Sequence, residues 1–135
     1  MAFIFWLGTD RASASETRSL LERLLERSWP GLLQRLSPDT LVTINVIIRK
    51  SGHFSGYGLL GMLDARAARA WRGTTTRSVL FRGWAAAAAW AAVDEFHQSF
   101  SASRGSSFED VLLDSAGAAV AIFLYHLWLS RYLKR

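Results

Sequence analysis

Residues 111–129, "VLLDSAGAAVAIFLYHLWL", form an apolar run of 19 residues that contains one acid, Asp114. A helix of about 20 apolar residues is long enough to cross the hydrocarbon core of a bilayer. Helices and closed barrels alone satisfy their backbone polar groups there. The run therefore predicts a membrane-spanning helix. It also sets a problem, because an ionised side chain at the centre of a span costs about 2.5–3.5 kcal/mol on insertion scales. Asp114 needs a reason to be there.

Two further segments share this mixture of apolar residues and buried-looking charge. "DTLVTINVII" at 39–48 runs into Arg49 and Lys50 and then into "SGHFSGYGLLGML" at 51–63, while residues 79–93 are apolar except for Arg82. Only two prolines occur, and strand-like alternation is rare, so the chain reads as all-helical. The expected fold is an all-α polytopic transmembrane helical bundle in one domain, 1–135. Its three full spans fall at roughly 45–64, 79–97 and 108–130. The N-terminal "MAFIFWLG" is apolar but too short to span. It is either interfacial or the end of a longer first span lost to a late start codon. It lacks the basic start and cleavage site of a secretory signal. "SETRSLLERLLERS" at 15–28 places Leu20, Leu21, Leu24 and Leu25 on one face, with Ser15 as a cap and Trp29 as an interfacial anchor. That helix suits a membrane surface or water equally. Gly52, Gly56 and Gly61 are expected as small-residue contacts between spans. A soluble four-helix bundle is the alternative architecture.

Charge distribution gives an orientation. The net charge is +5 and there is no cysteine, which excludes disulfides and thiolate chemistry. The 64–82 link and the 131–135 tail together hold eight Lys or Arg against Asp64, whereas residues 9–39 balance five Arg with five acids. The positive-inside rule puts the link and the C-terminus in the cytoplasm. Topology thus accounts for the basic excess. No nucleic-acid recognition motif is present, so that partner class is not expected.

With this topology, most remaining ionisable groups meet at one depth on the outer side. Lys50 and His53 begin one span, Asp94, Glu95, His97 and Gln98 end the next, Arg104 lies in the following link, and Asp110 and Asp114 begin the last. Lys50, His53 and Tyr57 (i, i+3, i+7) share a helix face, as do Asp110, Asp114 and Gly117 (i, i+4, i+7). One reading is structural, with Lys50 and Arg104 pairing with the acids and holding the bundle together. The other is a polar binding pocket made of Lys50, His53, Tyr57, Asp94, Glu95, Gln98, Arg104, Asp110 and Asp114. Glu95, His53 and Asp94 are the candidate general bases for an enzyme. Glu95, His97 and Asp110 are the candidate ligands for a divalent metal, although no fixed ligand spacing such as HExxH occurs and no cofactor is required.

The polar residues also resemble those of the VanZ-like family. "KSGHFSGYGLLG" (Lys50, His53, Tyr57, Leu59, Gly61), "DEFHQ" (Asp94, Glu95, His97, Gln98) and "SRGSSFEDVLLDSAG" (Arg104, Gly105, Asp110, Asp114, Gly117) match its pattern in order and spacing over residues 49–120. Asp114 departs from the asparagine usual there, and "SAS" replaces a frequent Pro-Gly before the arginine. The resemblance implies a bacterial cell-membrane protein of typically four spans, with one named member associated with teicoplanin resistance. The expected function is binding of an envelope component, lipid-linked or phosphate-bearing, with Lys50 and Arg104 on its anionic group. The alternatives are a membrane-embedded hydrolase or transferase acting on such a substrate, and a structural or partner-binding membrane module. Beyond the bilayer and that ligand, no partner is implied.

Overall fold

A computed structural model describes residues 14–70, 75–100 and 107–132. We number its helices α1 (Ala14–Ser28), α2 (Pro30–Leu33), α3 (Pro38–Arg69), α4 (Thr76–Gln98) and α5 (Phe108–Tyr132). Among the described residues there is no strand, as the sequence implied. Side-chain caps define two starts. Ser37 accepts from the Thr40 N–H at 3.2 Å before α3, and Thr75 accepts from the Ser78 N–H at 3.3 Å before α4. Pro38 occupies the first turn of α3, where its missing N–H costs no hydrogen bond.

The three long helices pack on one another pairwise, and α1 lies against α3. Contacts between α3 and α5 join residues 60 or 61 apart in sequence, Lys50 to Asp110 and His53 to Asp114. A constant separation means that the two helices run parallel, with α4 returning between them.

The interior is built from small residues. Tyr57, Leu60, Ala87, Ala91 and Ala118 form one buried cluster, and Ala65, Val79 and Ile122 form a second. The closest approach is at Gly117, where an added Cβ would collide with the Phe54 carbonyl oxygen. Gly83 is similar, since a Cβ there would lie 2.8 Å from the Ala65 backbone nitrogen. Gly61 is a helix contact as expected, but Gly52 and Gly56 are not, because nothing lies within 4 Å of the Cβ either would carry. Gly58 and Gly117 supply the close approach instead. The small residues of α3 that face α5 are set by the angle between the helices, which residue spacing within α3 does not specify.

Of the three expected spans, α5 is long and apolar enough to cross a membrane. At about 1.5 Å per residue, its 25 residues cover roughly 37 Å, more than a hydrocarbon core of about 30 Å. Both α3 and α4 are long enough, with 32 and 23 residues, but less apolar. Arg49, Lys50 and several Ser, Thr and Gly residues dilute α3. Alanine, with Arg77, Arg82, Asp94 and Glu95, dilutes α4.

Candidate functional site

The polar residues converge where the C-terminal end of α4 meets the N-terminal end of α5, beside the middle of α3. Helical period does the local positioning. Lys50, His53 and Tyr57 descend one face of α3, and Asp110 and Asp114 descend the facing side of α5. At the rim, Lys50 Nζ donates to Asp110 Oδ1 at 2.8 Å, with 46% and 30% of the two side chains exposed. One turn deeper, His53 Nδ1 and Asp114 Oδ2 are 3.3 Å apart, with 18% and 1% exposed. Deeper again, Tyr57 is buried, and its ring stacks on that of His53 with centroids 6.4 Å apart. The site is a file of paired polar side chains running from an exposed ion pair to a buried phenol.

The α4 side of the file is acidic. Asp94, Glu95 and Gln98 are all buried. Gln98 Nε2 donates to Asp94 Oδ2 at 3.0 Å, and the Ser107 N–H donates to Glu95 Oε2 at 2.9 Å. The second bond ties the end of α4 to the start of α5. Ser107 also caps α5, with its hydroxyl accepting from the Glu109 N–H at 3.2 Å. Both donors to these carboxylates are neutral. Among the described residues no lysine, arginine or histidine forms an ion pair with Asp94 or Glu95.

Two buried oxygen atoms in the file are left without a hydrogen bond, Asp114 Oδ1 and the Tyr57 hydroxyl. The Tyr57 hydroxyl lies close to the Asp94 carboxylate without reaching regular hydrogen-bond geometry. A buried polar atom without a partner costs about 1–3 kcal/mol, and more when charged. Two such atoms facing one small region suit a polar group from outside the chain.

Eight of the nine residues expected to bind substrate lie in the described part, and the structure brings them together: Lys50, His53, Tyr57, Asp94, Glu95, Gln98, Asp110 and Asp114. Arg104 lies outside the described residues. His97 sits on the exposed side of α4, away from the buried Glu95, so the metal-ligand trio of Glu95, His97 and Asp110 is not assembled. Among the described residues no three His, Asp or Glu side chains are placed to hold a metal ion. Two contributors escaped the sequence reading. Ser107 was visible as a serine ahead of Phe-Glu-Asp, which is a helix-start pattern. Trp84, whose indole N–H donates to the Ser115 carbonyl at 3.2 Å, had no signal in the sequence, because its partner is on another helix.

Neither a curated protein nor a solved structure matches this chain. The VanZ/LLP1 family matches residues 1–129, beyond both ends of the segment that carried the resemblance. A match over nearly the whole length, with the polar motifs gathered in one place, makes the chain a member of the VanZ/LLP1 family.

Proposed function

We propose that this protein spans a bacterial cell membrane three times through α3, α4 and α5, and binds a lipid-linked or phosphate-bearing envelope component at the outer end of the polar file. The observation that carries the reading is the buried, unpartnered Asp114 Oδ1 one turn below the rim of a file that opens to the surface at Lys50. A network serving only to hold helices together has no use for an unfilled acceptor, whereas a ligand site does. Apolar side chains on the outer faces support the membrane placement: Ile47 and Leu59 on α3, Trp90 and Val93 on α4, and Phe123 and Leu124 on α5 are all exposed. The basic ends of α3 and α4, with Arg66, Arg69, Arg77 and Arg82, lie at the opposite end of the bundle, which the positive-inside rule puts in the cytoplasm.

In this reading Lys50 exchanges Asp110 for the anionic group of the ligand. Such an exchange is cheap, because an ion pair this exposed contributes only about 0.2–1 kcal/mol. His53, Tyr57 and Asp114 hold the polar part of the ligand below it. A second reading rests on the His53–Asp114 contact. A carboxylate that orients an imidazole is the arrangement a general base requires, and it would make the protein a hydrolase or transferase of the same substrate class.

The test uses a strain lacking the protein, complemented with Lys50→Ala or Glu95→Gln. The readouts are membrane abundance and susceptibility to teicoplanin and other wall-active compounds. Normal abundance with lost complementation is expected. Abundance and complementation falling together would show a structural network and reject the binding site. Turnover of a polyprenyl-phosphate substrate by the purified protein, lost in His53→Ala, would establish the enzymatic reading.

A further inference from the structure

Charge is unevenly distributed along the polar file. The rim carries a matched pair, Lys50 and Asp110. Beside and below it are three buried carboxylates, Glu95 held by the Ser107 N–H at the start of α5, then Asp94 and Asp114, and the only ion pair any of them makes among the described residues is that of Asp114 with His53. A second, independent feature marks the same place. Tyr57 is 2% exposed, its hydroxyl has no hydrogen bond, and it faces this acidic layer. Carboxylates only accept hydrogen bonds when ionised, so a layer of acceptors with an unfilled Asp114 Oδ1 calls for a donor, and a positively charged one fits best. A compact metal ion is a poor fit, because among the described residues no three acidic or histidine side chains are placed around one point. A primary ammonium differs from a metal in this respect. It carries three N–H donors that reach separate acceptors.

We propose that the acidic layer binds the protonated primary amine of the ligand, so that the molecule recognised at this site carries both an anionic group and an amine. The inference rests on the reading of the file as a ligand site. Two helical turns, about 10 Å along α3, separate Lys50 from Tyr57, with Asp114 facing the interval. The anionic group stays at the rim on Lys50, where exposure is tolerable. The amine enters the layer of Asp94, Asp114 and the Tyr57 hydroxyl, where charge-assisted hydrogen bonds are strongest. The chemistry is that of an amino-alcohol phosphate headgroup or an amino sugar linked to a lipid phosphate.

The detergent-solubilised full chain is titrated with three short-chain phospholipids that share acyl chains: dihexanoyl phosphatidylethanolamine, phosphatidylglycerol and phosphatidylcholine. Quenching of the native tryptophan fluorescence reports binding. The ethanolamine lipid is expected to bind about tenfold or more tighter than the other two, since glycerol offers no charge and choline no N–H. Asp94→Asn and Asp114→Asn are expected to abolish the preference for the ethanolamine lipid over the glycerol lipid, whatever the affinity for the latter becomes. Equal binding of the ethanolamine and glycerol lipids overturns the amine site while leaving the phosphate-binding reading intact. Binding of none of the three overturns the underlying reading as well. Folded variants that lose both lipids alike assign the acids to holding the helices and also overturn the proposal. The headgroup series on the unsubstituted chain decides the matter even if a variant does not fold. Free ethanolamine phosphate competing as well as the lipid would identify a soluble source of the same chemistry.

Discussion

Asp114 occupies the position where opposing demands meet. It lies in the most apolar helix of the chain, is 1% exposed, and has one oxygen beside His53 and the other unfilled. Burial of a carboxylate is tolerated because His53 compensates one oxygen, and because the next turn of α5 places Gly117 against the α3 backbone, bringing the helices close enough for the pair to form. This makes Gly117 a sensitive position. Gly117→Ala is expected to destabilise the purified protein by about 1–3 kcal/mol, since a Cβ there meets the Phe54 carbonyl and the backbones must separate. Gly52→Ala is the control, with open space around its Cβ and a helical conformation. It is expected to be neutral or to stabilise by up to about 1 kcal/mol. Thermal unfolding in detergent compares the two, and equal effects would show that α3 and α5 are not packed at Gly117. The sequence marked Asp114, Lys50 and His53 through their spacing on helix faces. It did not mark Gly117 and Gly58 as the contact pair in place of Gly52 and Gly56, because a run of glycines shows where helices can approach but not at which angle they do.

At the scale of the helix, α5 bears most of the membrane reading and α3 and α4 share it unequally. The period of apolar residues placed α4 and α5, at 76–98 and 108–132, within three residues of the expected 79–97 and 108–130, whereas α3, at 38–69, runs seven residues before and five beyond the expected 45–64. Composition was less informative for α4, where alanine neither favours lipid strongly nor resists burial. Its Ala87 and Ala91 are fully buried against α3 and α5, while Trp90 and Val93 face outward. The absence of cysteine permits a direct test with single-cysteine variants. In intact membranes, Glu109→Cys at the exposed start of α5 should react with a membrane-impermeant maleimide, and Val120→Cys should react only after solubilisation. The same reagent applied from outside should label Glu109→Cys but not Arg69→Cys. Labelling of Val120→Cys in intact membranes would mean that α5 faces water, and labelling of Arg69→Cys from outside would reverse the orientation.

Across the whole molecule, three helices divide their charge by end. Five arginines, at 66, 69, 72, 77 and 82, fall where α3 ends and α4 begins, and Asp94, Glu95, Asp110 and Asp114 fall at the other end, where the sequence also has Arg49, Lys50, His53, His97 and Arg104. In the proposed topology the first half of this arrangement follows from the positive-inside rule. The second half does not, and a chain that needed only to be inserted would have no reason to bury Asp94, Glu95 and Asp114 together. The presence and end of the cluster could be read from the sequence, since they follow from alternating helix directions. Its internal pairing could not, because Lys50 with Asp110, Gln98 with Asp94 and the Ser107 N–H with Glu95 depend on the register between helices. The claim at the centre of this account is that Asp114 Oδ1 and the Tyr57 hydroxyl meet a group from outside the chain. The most direct measurement is an experimental density map of the protein purified from its native membrane. The account predicts non-protein density, larger than a water, in contact with both atoms. A side chain of the protein itself, or a lone water, satisfying both would contradict it.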